Sequence, residues 1–284
     1  MLDDYEFALC LTHDVDRPYK TFQAPYYAVK ERDPSHLKSL VSAERPYWQF
    51  EEIMALEEEL GVKSSFYFLN EKHLVRDKGP REWVQPKNWK LFTGRYDITN
   101  EEIVDVIQTL DQGGWEVGLH GSYESYNDLE RLRYEKETLE SVVGHEVVGG
   151  RQHYLNLDRP KTWEHHREIG LQYDASLGSS TTYGFEYGHR PLRPVDDEFV
   201  VFPLTAMEVT LMDGGQDAAK RRLDQLMEEA TEHDAVITVL WHPKFFSEDE
   251  FPGYRSLYRW LIRSAQDRDA WIGPCKELYE KCGS

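Results

Sequence analysis

Short apolar runs and amphipathic stripes take turns along this chain. Runs with the length of buried strands occur at Phe7 to Thr12, Ser65 to Leu69, Glu116 to His120, Val147 to Gly150, Val200 to Pro203 and Ala235 to Trp241. Between them, apolar residues recur at helical spacing. Ile53, Leu56 and Leu60 form one stripe; Ile103, Ile107 and Leu110 form another, stopped by Gly113-Gly114. Leu129, Leu132, Leu139 and Val143 predict a third helix, Leu223, Met227 and Ala230 a fourth, and Leu257, Leu261 and Ala265 a fifth. Alternating strands and helices imply an α/β fold with a parallel sheet and crossover helices. The 284-residue length suits one closed or nearly closed barrel better than two domains.

Two segments interrupt the rhythm, at about residues 17–47 and 74–100. The first contains Pro18, Pro25, Pro34 and Pro46; the second contains Pro80, Pro86, Trp83, Trp89 and Phe92. Each follows a predicted strand, and in a parallel barrel the loops after strands build the active-site face. Both insertions are therefore expected to line or cover a site, and exposed aromatics in the first are a candidate surface for a homo-oligomer.

Composition narrows the setting. Hydrophobic residues at 40%, with 8 Trp, can fill a sizeable core. With 33 basic and 52 acidic residues the net charge is −19 and no basic cluster stands out, so nucleic acid and anionic membranes are not expected partners. The spread of acids suits a high-salt cytoplasm, where negative charge maintains solubility. Cys10, Cys275 and Cys282 lack metal-type spacing and are expected to be reduced. A start of Met1-Leu2-Asp3-Asp4 without a signal-peptide pattern, and the lack of a long apolar run, predict a cytoplasmic protein with no membrane insertion.

Candidate chemistry collects where the predicted strands end. Thr12-His13-Asp14-Val15-Asp16 closes the first strand, and alternation puts Asp14 and Asp16 on one face with His13 on the other. Two acids in one mouth suit a metal ion, with one as ligand and the other free as a base; a solvated turn before Pro18 is the structural alternative. His120 ends the strand beginning at Glu116, and if a helix starts near Ser122, Glu124 faces the same centre. The alternative for Glu124 is a first-turn acid favoured by the helix dipole. Arg151 follows Gly149-Gly150 and can hold an aspartate ionised. His153 and Tyr154 either shape a pocket or pack as stacked aromatics. Asp174 is a candidate partner for Arg151, with a local turn as its alternative. His242 ends the most apolar strand and is a candidate general acid/base.

In this order, Thr12-His13-Asp14-Val15-Asp16, His120-Gly121-Ser122, Arg151-Gln152-His153-Tyr154, Asp174 and Leu240-Trp241-His242 resemble the five successive motifs of the polysaccharide deacetylase superfamily, carbohydrate esterase family four. The resemblance spans residues 7 to 243 and implies a distorted (β/α)7-type barrel over residues 1–284, a single domain carrying the two insertions. It implies a hydrolase that removes acetyl groups from glycans with a divalent metal, zinc foremost, with manganese, cobalt or iron as alternatives. Carried over, Asp14 would be the catalytic base, Arg151 would orient it, and Asp174 would tune the arginine. His242 would be the acid. Asp16 and His120 would be metal ligands, while Leu240, Trp241, His153 and Tyr154 would shape the substrate pocket, with a backbone N–H near Tyr154 at the oxyanion. The family pattern has a second histidine four residues after the first, where this chain has Glu124. A carboxylate can complete an oxygen/nitrogen site at a charge one unit more negative.

The leading expectation is N-deacetylation of an amino sugar in a polysaccharide, oligosaccharide or glycan precursor. A cyclic imide or ureide hydrolase resembling allantoinases is the second reading, favoured by a small closed pocket; exposed Trp83 or Trp89 in an open groove would favour sugar. A metal-free, non-catalytic carbohydrate-binding relative is the third, resting on Glu124.

Overall fold

The computed structural model describes residues 4–20, 23–30, 32–34, 37, 45–195 and 198–283. Most of the first insertion between residues 31 and 44, and with it the proposed subunit surface, lies outside the described residues.

The core is a sheet of nine strands: β1 Ala8–Val15, β2 Ser65–Leu69, β3 Glu116–Gly121, β4 Gly149–Gln152, β5 Tyr173–Asp174, β6 Val200–Val201, β7 Ala206–Met207, β8 Val236–Leu240 and β9 Trp271–Gly273. The order is β6-β5-β4-β3-β2-β1-β8-β7, with β9 against the first half of β1, and these strands pair in parallel. The sheet curls until its two edges, β6 and β7, lie on one extended segment. Between them Phe202 donates its N–H to Asp174 and Thr205 donates to Thr238, so this segment bridges β5 and β8. The architecture is a curled parallel α/β barrel, with the parallel sheet that the alternation implied and the distorted barrel form that the resemblance implied.

All eight residues of β1 are buried, as expected for a parallel strand covered on both faces. Outside the barrel, the helix Glu101–Gln112 buries Ile103, Val106, Ile107 and Leu110, and the Asn100 side chain caps it by accepting from the Glu102 N–H. The helix Leu129–Val143 is capped by Asp128 and ends at Gly144, whose φ of 88° is the left-handed conformation that terminates helices. The remaining predicted stripes lie on Phe50–Glu59, Gln216–His233 and Tyr254–Gln266. Strands β5, β7 and β9 and the helices Lys161–Glu168 and Cys275–Gly283 were not anticipated. The second insertion, read as a loop, holds three short helices at Leu74–Asp77, Pro80–Trp83 and Pro86–Phe92. Among the described residues no helix is long and apolar enough to cross a membrane.

Inside the barrel, Tyr67 and Tyr173 form a floor. Their hydroxyls are 3.1 Å apart, and Tyr173 donates to Glu116 at 2.5 Å. Gly149 makes room for the second ring, because a Cβ there would lie 1.9 Å from it. The register pairs Thr12 with Leu240, Leu69 with His120, and His120 with Arg151, so the ends of β1, β2, β3, β4 and β8 open into one mouth above the floor.

Candidate active site

Alternation along β1 sends Asp14 and Asp16 into the mouth and His13 outward, as the sequence predicts. Asp14 Oδ1 accepts from Arg151 at 2.9 Å, and Arg151 also donates to the Thr12 hydroxyl at 2.8 Å and the Ala175 carbonyl at 2.7 Å. The guanidinium sits 5.0 Å above the Tyr67 ring. Burial alone would raise the Asp14 pKa, but Arg151, then His120 and His242, outweigh it and hold the carboxyl below its usual range. The base candidate is ionised and faces open space.

Three imidazoles converge on Asp16. His120 Nε2 lies 3.2 Å from Asp16 Oδ1, His153 Nε2 lies 3.4 Å from the same oxygen, and His242 Nε2 lies 3.6 Å from Oδ2. Despite burial, these histidines hold the Asp16 carboxyl well below its ordinary pKa. One ligand atom from each of Asp16, His120 and His153 falls within a sphere of contacts no wider than 4.8 Å. Each histidine of this set is oriented from behind. His120 Nδ1 donates to the Arg151 carbonyl at 2.9 Å, which leaves Nε2 to present a lone pair; His153 Nδ1 faces Glu71 at 3.4 Å. A metal-binding histidine needs this kind of outer partner, so the donor set fits a divalent ion. Burial opposes a charge on both rings. In His120 the neighbouring Asp14 and Asp16 overcome it and raise the pKa, whereas in His153 burial prevails and the pKa falls.

Glu124 does not join this cluster. Its carboxylate pairs with Lys78 at 2.6 Å and Lys72 at 3.2 Å, and it is 41% exposed. The helical geometry expected from Ser122 is absent: a 3-10 turn spans Ser125–Asn127 and the following helix starts at Leu129. With no helical turn to place residue 124 over residue 120, the second imidazole comes from β4's end, at His153. That residue follows Arg151 by two and so shares its face.

Two further expectations change. Asp174 does not pair with Arg151: its oxygens accept from the Ser176 hydroxyl at 2.5 Å, the Ser176 N–H and Trp163 Nε1 at 3.1 Å, with His166 Nδ1 at 3.4 Å. It fixes the turn that presents the Ala175 carbonyl to Arg151. Trp241 points away from the mouth, because alternation on β8 turns Leu240 and His242 inward and Trp241 outward, against Tyr258. Leu240 is buried with Leu204 and Met207 beside Leu155, behind the cavity wall.

His242 stands opposite, at the end of β8. Its Nδ1 contacts Glu208 at 2.8 Å, and although burial works against the charge, Glu208 raises its pKa above the usual value. Sequence reasoning missed Glu208, Glu71 and Arg95. Glu208 follows the unrecognised strand β7. Glu71 directly follows β2, and its position just past a strand end was an available signal. Arg95 lies in the second insertion; it donates to the Leu91 carbonyl at 2.8 Å and the Asp16 carbonyl at 3.2 Å.

The site opens into a cavity of about 210 Å³, lined by Asp14, Asp16, His153, Tyr154 and His242 and rimmed by Arg17, Lys90, Arg95 and Lys244. Tyr154 has a left-handed φ of 60° and packs at a tilt against His153, with ring centroids 4.5 Å apart. A non-glycine residue in that region is uncommon and recurs at ligand sites. Burial, followed by the nearby Arg95, brings the Arg17 pKa down to about 10. Trp83 and Trp89 are exposed, but neither lines the cavity.

No family sequence model matches the chain, and no curated protein matches it in sequence. Solved structures do match in shape. A Mycobacterium smegmatis protein assigned as a polysaccharide deacetylase superposes with a TM-score of 0.65 at 18% identity, covering 99% of this chain and 91% of that one. A Pseudomonas aeruginosa PAO1 protein with the same assignment gives 0.64 at 14% identity, covering 99% and 92%. The Puue allantoinase gives 0.63 at 13% identity, covering 98% and 90%. The chain thus has the fold of the polysaccharide deacetylases, as its five strand-end motifs implied.

Proposed function

We propose that the protein is a metal-dependent amide hydrolase that removes the acetyl group from an N-acetylated amino sugar. The observation that carries this reading is the convergence of three imidazole Nε2 atoms on Asp16, within 3.2 to 3.6 Å, beside an ionised Asp14 in the same mouth. Asp16, His120 and His153 would hold a divalent metal, which would supply Lewis-acid polarisation of the amide carbonyl and lower the pKa of a water toward roughly 7.

The chain's own residues then divide the remaining work. Asp14, held ionised by Arg151, accepts a proton from the attacking water at Oδ2, the oxygen not bonded to Arg151, which faces His120 Nε2 at 3.7 Å. His242, whose protonated form Glu208 favours, gives its Nε2 proton to the departing amine on the opposite side. Each of these transfers is worth about a hundredfold to ten-thousandfold in rate. The Arg151 carbonyl behind His120 and Glu71 behind His153 would favour the tautomer that turns Nε2 toward the metal, and Arg95, 3.5 Å from His153 Nε2, would have to yield that lone pair. The metal-free, non-catalytic reading rested on Glu124; the grouping of His153 with Asp16 and His120 supports the metal-dependent reading over it.

A cyclic ureide or imide hydrolase uses the same constellation, and the compact cavity of about 210 Å³ favours it as the second reading. Purified protein loaded with zinc should release acetate from N-acetylated amino sugars and leave allantoin intact. Hydrolysis of allantoin without acetate release from any sugar would reverse that ranking; neither activity in the metal-loaded protein would overturn both.

A further inference from the structure

The cavity rim carries more positive charge than the removal of a neutral acetyl group requires. Arg17, Lys90, Arg95 and Lys244 all line it, whereas its acids are Asp14 and Asp16 alone. The chain as a whole carries a net charge of −19, so this concentration runs against the protein's general character.

None of the four cations makes an ion pair among the described residues. Arg17 is held by carbonyl oxygens instead, and Arg95 by two carbonyl oxygens and the neutral ring of His153. Arg17 donates to Thr93 at 2.5 Å and to Lys90 at 2.7 Å, and Arg95 donates to Leu91 and Asp16, with its remaining nitrogen 3.5 Å from His153 Nε2. Carbonyls fix the direction of a guanidinium without neutralising it. Arg95 is only 8% exposed, and a buried cation lacking a carboxylate partner is costly. The nearest acids are engaged elsewhere: Asp16 faces the three imidazoles, and Glu71 faces His153 and accepts from the Tyr123 N–H. Lys244 is half-buried, with its ammonium 4.9 Å from the Phe245 ring.

Fixed, unneutralised guanidiniums beside a reaction centre form a ready receptor for an oxyanion. We propose that the substrate carries a carboxylate or a phosphate ester near its acetamide, and that Arg17, Arg95 and Lys244 bind that group. The proposal rests on the deacetylase reading and makes it specific. A neutral N-acetyl sugar would leave the three cations without an anionic partner, while an anionic one would satisfy them and place the amide between Asp14 and His242.

The test compares the zinc-loaded protein on N-acetylglucosamine, its 6-phosphate and N-acetylmuramic acid. At least one anionic sugar should exceed the neutral one about tenfold or more in kcat/KM, and the better of the two identifies phosphate or carboxylate. Lys244→Met, and separately Arg17→Gln, should lower kcat/KM for that substrate several-fold more than for the neutral sugar. Equal turnover of all three sugars, or equal losses on neutral and anionic substrates in both variants, would overturn the proposal. Inorganic phosphate binding, measured by calorimetry on the same proteins, separates this failure from failure of the deacetylase reading. With no acetate released from any sugar, phosphate binding weakened by both variants still supports the cation receptor; binding unchanged by either contradicts it.

Discussion

Residues 13 and 14 are neighbours on one strand, and each belongs to a buried cluster of histidine and carboxylate, yet the two clusters have opposite characters. On the outer face of β1, His13 Nδ1 meets the Trp241 carbonyl at 2.6 Å and Nε2 meets Glu57 at 3.1 Å. Glu57 is saturated. It also accepts from the Tyr258 hydroxyl at 2.6 Å, the Ser64 hydroxyl at 2.9 Å and Trp115 Nε1 at 2.7 Å. Both side chains are fully buried. On the inner face, Asp16 is 27% exposed and meets three imidazole edges beside a cavity. Residue type does not separate a structural pair from a chemical one. What separates them is whether every lone pair already has a donor, and whether space remains beside it.

That contrast can be broken by substitution, and the largest effect is expected on the inner face. Asp14→Asn should reduce turnover by about a thousandfold or more while leaving metal content unchanged, as measured by acetate release and elemental analysis. Loss of metal instead would mean that Asp14, not Asp16, is the aspartate ligand. His153→Ala should weaken zinc binding at least about a hundredfold in calorimetry, and Glu71→Gln, one step further out, about ten- to a hundredfold. Glu124→Gln, which only releases Lys72 and Lys78, should leave zinc affinity unaltered.

The outer face should respond in a different quantity. Glu57→Gln puts amide hydrogens against existing donors in a sealed site. It should cost about 1–3 kcal/mol of stability, seen as a Tm lower by several degrees, with kcat retained below the transition. A loss of kcat without a change in Tm would erase the distinction between the faces.

The smallest effects concern pH. Asp14 and Asp16 raise the His120 pKa, so a proton competes with metal at that ring; zinc affinity should fall as pH drops through the raised value and recover above it. Glu208→Gln removes the charge that raises His242. The alkaline limb of the rate profile should then move to lower pH, because the acid form is lost earlier.

How far the sequence reveals this molecule depends on length and on partners. The longer strands β1, β2, β3 and β8 announce themselves as apolar runs, β4 only through the Val147-Val148 that precede Gly149-Gly150, and the polar residues crowning them, Asp14, Asp16, His120, Arg151 and His242, stand out for that reason. Strands β5, β6 and β7 have two residues each, too few for any periodicity; β6 stands out only because it lies in the apolar run Val200 to Pro203. The helix Lys161–Glu168 buries only Thr162, Trp163 and His166, which makes no apolar stripe. His153 was placed in the pocket but not among the ligands, although its spacing of two from Arg151 fixed its direction. Glu124 attracted the assignment because four-residue spacing matters only on a helix, and no helix forms there. Glu71 and Glu208 act on His153 and His242 across 82 and 34 positions of sequence, so only the closed barrel reveals their pairing.

The central claim is that Asp16, His120 and His153 together hold a metal. Anomalous difference density at the zinc edge, from crystals of the zinc-loaded protein, tests it most directly. The account predicts a single strong peak bounded by Asp16 and the Nε2 atoms of His120 and His153, with Asp14 left uncoordinated. A peak bonded to Glu124, or zinc-loaded crystals with no peak in the mouth, would contradict it.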